Sequence, residues 1–299
     1  MHGGGPAGTA AARHAGRLAW ALALTATYMF AEIAGGLITG SLALLADAAH
    51  MLTDVGGLAL ALLAIRFAAR EATPQRTFGY LRMEVLSALT NAVVLLLLTV
   101  YILYEAYQRF LAPPDILSGP MLIVACVGLI VNLVSMWLLA GGSSESLNVK
   151  GAYFEVLSDM LGSIGVIIAA LLMMWKGWVL ADPIIGAGIG LFIVPRTWIL
   201  LKQVTHILME GTPPDVDLGL LERQLSTIEG VKTVHDLHVW TITSGFDAMS
   251  CHLVVNDMSV ASTILQEARR RMKDGFKIDH VTIQIEDEAL RNEEGVLHV

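Results

Sequence analysis

The chain has 299 residues, of which 55% are hydrophobic and 15% are charged, and it carries a net charge of −8. Because ordinary soluble domains contain roughly 25% charged residues, this composition argues against a soluble protein and favours an integral membrane protein. The basic residues are too scattered and the aromatic residues too few for a nucleic-acid surface, and two cysteines exclude a disulfide framework.

The chain begins with a segment rich in glycine and alanine, which predicts a disordered cytoplasmic head over 1–17. Its His2 and His14 are more typical of solvated side chains than of metal ligands. The apolar segment that follows begins near Leu18 and runs for about 22 residues, which is longer than the core of a cleavable signal peptide. It is therefore predicted to be the first membrane span.

Six apolar segments are each close to the length, about 20 residues, that a helix needs to cross the hydrocarbon core of a bilayer. Lysine and arginine in the short connections set the orientation, because cytoplasmic loops are enriched in these residues. Seven of them lie on the side of the head and two on the opposite side, so we expect both termini in the cytoplasm. The spans are predicted at 18–39, 43–66, 85–108, 119–140, 153–175 and 183–204, within a transmembrane domain over 18–205.

A separate α+β unit is predicted over 206–290, followed by a short tail over 291–299. Its patterns indicate the order helix, strand, strand, helix, strand in DLGLLERQLSTI, VKTVHDLHVWTI, DAMSCHLVVN, ASTILQEARRRMK and DHVTIQIED. From His206 onward the chain has 8 Lys and Arg against 16 Asp and Glu, so the net charge of this part equals that of the whole chain. An acidic cytoplasmic unit suits cations rather than nucleic acid. Cys126, in an apolar run, and Cys251, in a strand, are both predicted to be small buried side chains.

Ionisable residues interrupt two of the apolar segments with the same spacing. His50 and Asp54 are four residues apart, as are Glu155 and Asp159, so each pair lies on one helix face, and Asp47 lies a turn before His50. An ionised carboxylate at the centre of a bilayer costs about 3 kcal/mol on insertion scales, so a positive partner is expected. One imidazole and three carboxylates on facing helices predict a metal site suited to Zn²⁺ and open to Co²⁺ and Cd²⁺.

Other interpretations of these polar residues stay open at this point. The two pairs could be buried polar groups that hold helices together, although two matched pairs favour an ion path. Asp47 is either a gate or outer-shell group or a structural residue. Glu32, Asn91 and Asn132 are more typical of hydrogen bonds between helices than of ligands.

Five stretches, in this order, carry a resemblance: SLALLADAAHMLTD, RTFGYLRMEVLSALTNA, YILYEAYQRF, SLNVKGAYFEVLSDMLGSIGV and VHDLHVWTITSG. Together they resemble the cation diffusion facilitator family, specifically its bacterial cobalt–zinc–cadmium resistance branch, over nearly the whole chain. The resemblance implies six spans, a cytoplasmic ferredoxin-like domain and a homodimer. It also implies export of divalent metal from the cytoplasm in exchange for protons, with no prosthetic group.

The resemblance assigns the transport site to His50, Asp54, Glu155 and Asp159. Glu155 stands where the usual zinc pattern of the family has histidine, and the loop AGGSSESLNVKGA lacks the histidines of many relatives, so we expect a metal preference broader than zinc alone. The resemblance also suggests a second metal site in the cytoplasmic domain, although histidines on strands commonly face solvent. The candidate ligands of this second site are His235, Asp236, His252 and Glu286.

Arg82 and Glu210 lie at the cytoplasmic ends of the membrane region, where the family implies a charge lock between the membrane and cytoplasmic domains. They could equally be two unrelated interfacial charges. Glycines in DVGGLALA, EIAGGLITG and DPIIGAGIG permit close approach of helices, with or without sliding.

Three rival functions make different demands on the sequence. A metal-dependent hydrolase would need a motif such as H-E-x-x-H, which is absent, and no Walker loop supports ATP-driven transport. A metal-gated channel would lack proton coupling, and a metal sensor would not need its intramembrane ligands. We therefore predict a proton-coupled exporter of Zn²⁺, Co²⁺ and Cd²⁺ that is not an enzyme and resides in a bacterial inner membrane.

Overall fold

Six long helices form the first part of the chain in a computed structural model that describes residues 10–68, 70–140 and 147–293. Five of them are apolar and long enough to cross a membrane, over Trp20–Thr39, Met83–Leu111, Ser118–Ala140, Tyr153–Lys176 and Ala181–Leu208. The other, α2, has 27 residues and is about 40 Å long, which is also sufficient length. The bounds are α1 Ala10–Thr39, α2 Leu42–Ala68, α3 Met83–Leu111, α4 Ser118–Ala140, α5 Leu147–Lys176 and α6 Ala181–Leu208.

Helix α4 packs against both α1 and α5. The approach of α1 to α4 is close because Gly128 has no side chain: a Cβ atom there would lie 2.0 Å from the Tyr28 hydroxyl oxygen. A second apolar cluster joins α2, α4, α5 and α6 through small side chains such as Ala43, Ala125 and Ala181. Small residues of this kind let helix backbones approach closely where lipid gives no hydrophobic driving force.

The first turn of α2 is held by polar side chains rather than by backbone alone. Ser41 accepts a hydrogen bond from the backbone N–H of Leu44 at 3.1 Å, as an N-cap residue does. The carboxylate of Asp182, from the first turn of α6, accepts from the N–H groups of Leu42 at 2.7 Å and Ala43 at 3.1 Å. Asp182 is fully buried, and its negative charge also complements the positive end of the helix dipole.

The C-terminal part of the chain is an α+β domain with a three-stranded sheet in the order β1-β2-β3. Strands β1 and β2 are antiparallel and joined by a tight turn in which Gly245 has φ +73°, whereas β2 and β3 are parallel. The core lies between the sheet and helices α7 and α8, with Leu221, Met249 and Met272 fully buried. The elements are α7 Leu218–Ser226, β1 Val231–Thr243, β2 Phe246–Val255, a 3₁₀ turn Met258–Val260, α8 Ala261–Phe276, β3 His280–Glu286 and α9 Glu288–Glu293.

The predicted fold class, a helical membrane domain followed by an α+β domain with the order αββαβ, is confirmed. One expectation about side chains is wrong: Cys126 is exposed rather than buried, because it lies on a face of α4 that no other helix covers among the described residues, whereas Cys251 is buried in β2 as predicted. Parts of three predicted segments lie outside the described residues: 1–9 of the head, 141–146 of the histidine-free loop and 294–299 of the tail.

Candidate metal-binding site

Three of the predicted transport ligands meet between α2 and α5. His50, Asp54 and Asp159 each offer a ligand atom, and these atoms all lie within 4.8 Å of one another. The helical spacing of four residues places His50 above Asp54 on α2, with the His50 Nε2 atom 3.5 Å from an oxygen of Asp54. Asp159 joins them from α5, so the cluster depends on the packing of two helices.

The burial and bonding of this cluster fit a cation. His50 and Asp159 are buried, at 7% and 3% exposure, and Asp54 is partly buried. One oxygen of Asp54, one of Asp159 and the Nδ1 atom of His50 make no hydrogen bond. Buried polar atoms normally have a partner, and carboxylate oxygens and an imidazole nitrogen are a donor set that Zn²⁺ accepts.

Glu155, the fourth predicted ligand, lies at the edge of this cluster and has a different partner. Its Oε1 atom is 3.8 Å from the Nε2 atom of His50. Both of its oxygens accept hydrogen bonds from Arg196 of α6, each at 3.0 Å. The structure therefore brings Glu155 next to the other three ligands while engaging its carboxylate in a bidentate ion pair.

Asp47 lies beside the cluster in a buried layer of polar groups. It is 2% exposed and lies beside the carboxyl group of Glu32 of α1, which is fully buried and accepts from the Tyr28 hydroxyl at 3.0 Å. A Cβ atom on Gly162 of α5 would lie 2.3 Å from an oxygen of Asp47, so this carboxylate packs directly on the backbone of α5. Contacts with both α1 and α5 suit either role predicted for Asp47.

The other two predicted helix-joining residues also make contacts between helices. Asn132 donates a hydrogen bond from α4 to the Ser163 hydroxyl of α5 at 3.4 Å. A Cβ atom on Gly57 of α2 would lie 2.7 Å from the amide nitrogen of Asn91 on α3.

Two functional residues were missed by sequence reasoning. Arg196 is a lone basic residue in the middle of an apolar helix, and that signal alone was available in the sequence. Asp182 precedes a proline at the start of α6, which is typical of a helix N-terminus. Its actual role is to cap a different helix, which no local pattern reveals.

A second cluster, in the α+β domain, contains three of the four predicted ligands, and the fourth, Asp236, lies beside it. The atoms of His235, His252 and Glu286 lie within 4.8 Å of one another. Glu286 is fully buried, and its carboxylate is 2.7 Å from the Nδ1 atom of His252 and 3.2 Å from the Nε2 atom of His235. A buried carboxylate flanked by two imidazoles fits a divalent cation, because the metal replaces the protons that the same atoms otherwise share.

Asp236 reaches this cluster because the strand is irregular. Strict alternation along β1 predicts that Asp236 and His235 face opposite sides of the sheet, but a bulge between His235 and His238 and a φ of +50° at Asp236 break the alternation. One oxygen of Asp236 lies 3.6 Å from the Nε2 atom of His252. The hydrogen bond that His238 donates to the other oxygen, at 3.0 Å, lowers the pKa of Asp236.

The predicted charge-lock residues are in contact. A terminal nitrogen of Arg82 lies 2.8 Å from a carboxylate oxygen of Glu210, which itself has a positive φ of 58°. The two side chains are 40% and 60% exposed, and ion pairs this open to solvent contribute about 0–1 kcal/mol. The contact is consistent with a lock, whose role stays a prediction.

Comparison with known proteins adds independent findings. The sequence model described as the cation efflux transmembrane domain matches residues 18–209. The model described as the cation efflux protein cytoplasmic domain matches residues 213–288. Between them the two models match both parts of the chain described above.

Three bacterial relatives match over most of their length. The chain is 53% identical over 268 residues to the metal cation efflux system protein CzcD of Cupriavidus metallidurans, covering 89% of this chain and 84% of that one. It is 42% identical over 275 residues to the cadmium, cobalt and zinc/H(+)-K(+) antiporter of Bacillus subtilis (90% and 88% covered). It is also 42% identical over 275 residues to the zinc transporter ZitB of Escherichia coli (91% and 88% covered). The chain therefore belongs to the cation efflux, or cation diffusion facilitator, family of integral membrane transporters.

Proposed function

We propose that the chain is a proton-coupled antiporter that exports Zn²⁺, Co²⁺ and Cd²⁺ from the cytoplasm. The observation that carries this proposal is the cluster of His50, Asp54 and Asp159 between two apolar helices, in which each residue has one buried nitrogen or oxygen atom without a hydrogen-bond partner. Ionisable groups at such depth mark ion paths. The names of the relatives, which include a cadmium, cobalt and zinc antiporter and a zinc transporter, agree with this substrate class.

Exchange follows from the chemistry of the ligands. Carboxylates and imidazole bind metal only when deprotonated, so metal and protons compete for the same lone pairs. On the cytoplasmic side, where protons are scarcer, Zn²⁺ displaces protons from His50, Asp54, Glu155 and Asp159. On the outer side protons displace Zn²⁺, and the helical bundle exposes the site to one side at a time.

The breadth of substrates follows from the same ligand set. Glu155 makes the site one imidazole and three carboxylates, which is a harder set of ligands than one with a second imidazole. Oxygen-rich sites of this kind discriminate weakly among Zn²⁺, Co²⁺ and Cd²⁺, so the metal available in the cell decides which ion is carried.

The assembly and location belong to the same proposal. Two copies of the chain form a homodimer, in a bacterial inner membrane, with both termini in the cytoplasm; the distribution of lysine and arginine supports the orientation. The cytoplasmic domain binds a second metal ion through His235, His252 and Glu286, with Asp236 at the edge. The support is the buried Glu286 carboxylate between two imidazoles.

The test is uptake of Zn²⁺, Co²⁺ and Cd²⁺ by proteoliposomes with an acidic interior and metal outside. We expect wild-type uptake to slow when nigericin collapses the pH gradient, because the metal gradient alone then drives the exchange. Asp159→Asn should abolish uptake, because it removes a charged ligand without changing size. Asp115→Asn, the same chemical change at an exposed loop position, is the matched control and should transport normally.

Each rival function predicts a different result in the same assay. A channel would carry metal down its own gradient regardless of nigericin. A sensor would show no flux even in the wild type. Uptake by Asp159→Asn at the wild-type rate would overturn the assigned transport site.

A further inference from the structure

Arg196 of α6 and Glu155 of α5 form a bidentate ion pair in the membrane domain. Its two terminal nitrogens each lie 3.0 Å from a different oxygen of Glu155. This is the parallel fork geometry in which arginine and carboxylate interact most strongly. Arg196 therefore occupies both oxygens of a residue that the transport site requires as a ligand.

The ion pair and metal ligation compete for Glu155. A carboxylate has about four lone-pair sites, and the guanidinium fork takes one on each oxygen, so a metal ion that binds Glu155 has to share its oxygens with two N–H groups. The metal and Arg196 are also both cations, so they repel each other at short range. Glu155 is therefore a weaker metal ligand while it is paired with Arg196.

Arg196 is positioned to receive and release Glu155. It lies within α6 about 22 Å from the end at Ala181 and about 18 Å from the end at Leu208, deep in the membrane domain. Its side chain is 67% exposed and that of Glu155 is 27% exposed, and a charged arginine at this depth faces water or protein rather than hydrocarbon. Pro195, immediately before it, cannot donate a hydrogen bond to the preceding turn, so α6 bends easily at this point.

Arg196 also acts on the rest of the cluster. It lies within electrostatic range of Asp54 and Asp159 as well as Glu155. The charge of the guanidinium therefore stabilises a cluster of carboxylates in the absence of a transported ion and repels a divalent cation that occupies it.

We propose that Arg196 is a positioning residue that competes with the transported metal for Glu155, and that this competition weakens metal binding enough for rapid release. The inference rests on the proposed antiport function and deepens it. Metal binding transfers Glu155 from Arg196 to the ion, and the return of Glu155 to Arg196 helps the ion leave. Arg196 thus sets the balance between affinity and turnover.

The first experiment measures initial rates of Zn²⁺ uptake by proteoliposomes over a range of Zn²⁺ concentrations. Arg196→Gln should lower KM by about two- to fivefold, the equivalent of removing one partly exposed ion pair, and should also lower the maximal rate because release becomes slow. Arg196→Lys keeps the positive charge but loses the bidentate geometry, so its KM should lie between those of the wild type and Arg196→Gln. Lys202→Gln removes a positive charge elsewhere on α6 and should leave the KM unchanged.

The second experiment is a double-variant cycle. In a Glu155→Gln background there is no carboxylate at this position for Arg196 to hold, so adding Arg196→Gln should lower the KM by less than it does in the wild-type background, because only the effect of its charge on Asp54 and Asp159 remains. A KM that rises or stays the same in the single variant Arg196→Gln overturns the proposal, and so does an equal effect in both backgrounds. If Arg196→Gln does not fold, Arg196→Lys takes its place in the cycle, and the same two outcomes overturn the proposal.

These outcomes are separable from failure of the antiport function. If Asp159→Asn abolishes Zn²⁺ uptake while Arg196→Gln leaves the KM unchanged, the transport site stands and the role of Arg196 is wrong. If Asp159→Asn transports Zn²⁺ normally, the transport site itself is wrong, and the proposal for Arg196 falls with it.

Discussion

Asp182 shows how one buried carboxylate can support a candidate metal site without being one of its predicted ligands. It accepts hydrogen bonds from the first turn of α2, the helix that carries His50 and Asp54. It also accepts a hydrogen bond from the Ser41 hydroxyl at 2.6 Å and lies 3.4 Å from a terminal nitrogen of Arg109 at the end of α3. Removing it would leave backbone N–H groups and a largely buried arginine without this acceptor.

We expect Asp182→Ala to destabilise the membrane domain by about 1–3 kcal/mol, because a lost cap and unsatisfied buried donors each cost about that much. The measurement is the thermal unfolding midpoint of the full chain in detergent. Asp182→Asn keeps an acceptor oxygen and should lower the unfolding midpoint by less. Asp115→Ala, at an exposed loop position, should not change the midpoint. An unchanged midpoint for Asp182→Ala would refute the capping role.

Residues spaced along one helix could be predicted from the sequence, whereas Arg196 and Asp182, whose partners lie on other helices, were missed. The pairs His50 with Asp54 and Glu155 with Asp159 follow from a spacing of four residues on a helix. Arg196 and Glu155, in contrast, are 41 positions apart in the chain, and Asp182 is 140 positions from Leu42. Contacts at such separation depend on how the helices pack, which the periodicity of one helix does not encode.

At the scale of elements, the contact between α2 and α5 decides whether the two halves of the transport site meet. Asp47 packs against Gly162, one turn after Asp159 on α5, so the absence of a side chain at this glycine allows the helices to approach. On α2, Gly56 lies two positions after Asp54, and a Cβ atom there would meet nothing within 4 Å among the described residues. Gly162 and Gly56 therefore form a matched pair for mutation: a side chain at Gly162 would meet Asp47, and a side chain at Gly56 would not meet any described residue.

Gly162→Ala should lower the rate of Zn²⁺ uptake by about tenfold or more, since displacement of a ligand by about 1 Å can cost that much in a tightly arranged site. Gly56→Ala should leave uptake intact and keep or raise stability, because alanine favours helix more than glycine does. Both are measured as initial rates in proteoliposomes. Equal rates for Gly162→Ala and the wild type would show that this contact does not position the site.

The elements themselves were largely predictable because their patterns are strong. Long apolar runs predict the membrane helices, and alternating or helical periods predict the order of the cytoplasmic elements. The β1 strand is the instructive exception. Its bulge at Asp236 breaks the alternation on which the assignment of faces depends, and a single non-glycine residue with positive φ leaves no clear signal in the sequence.

At the scale of the whole molecule, the described residues contain two separate clusters of metal-binding side chains, one in each domain. Neither cluster shares a residue with the other. Mutations in one are therefore expected to leave binding at the other unchanged, because sites without shared partners usually behave additively.

We expect the purified full chain, stripped with a chelator and titrated with Zn²⁺, to bind two ions per chain by calorimetry. Asp159→Asn and His252→Ala should each bind one, and the double variant should bind none. If His252→Ala still binds two ions, the assignment of a metal site in the cytoplasmic domain is wrong. If Asp159→Asn still binds two ions, Asp159 is not a ligand of the transport site.

The link through Asp182 has a mechanical consequence. Asp182 connects the ends of α2, α3 and α6 at a single buried residue. A tilt of α2 would therefore pivot about this end of the helix. His50 lies about 12 Å along the helix from Leu42, so a tilt of about 10° would carry its imidazole about 2 Å sideways. Coordination bonds tolerate deviations of only about 0.2 Å. A rotation of this size about Asp182 would therefore separate His50 and Asp54 from Glu155 and Asp159 on α5.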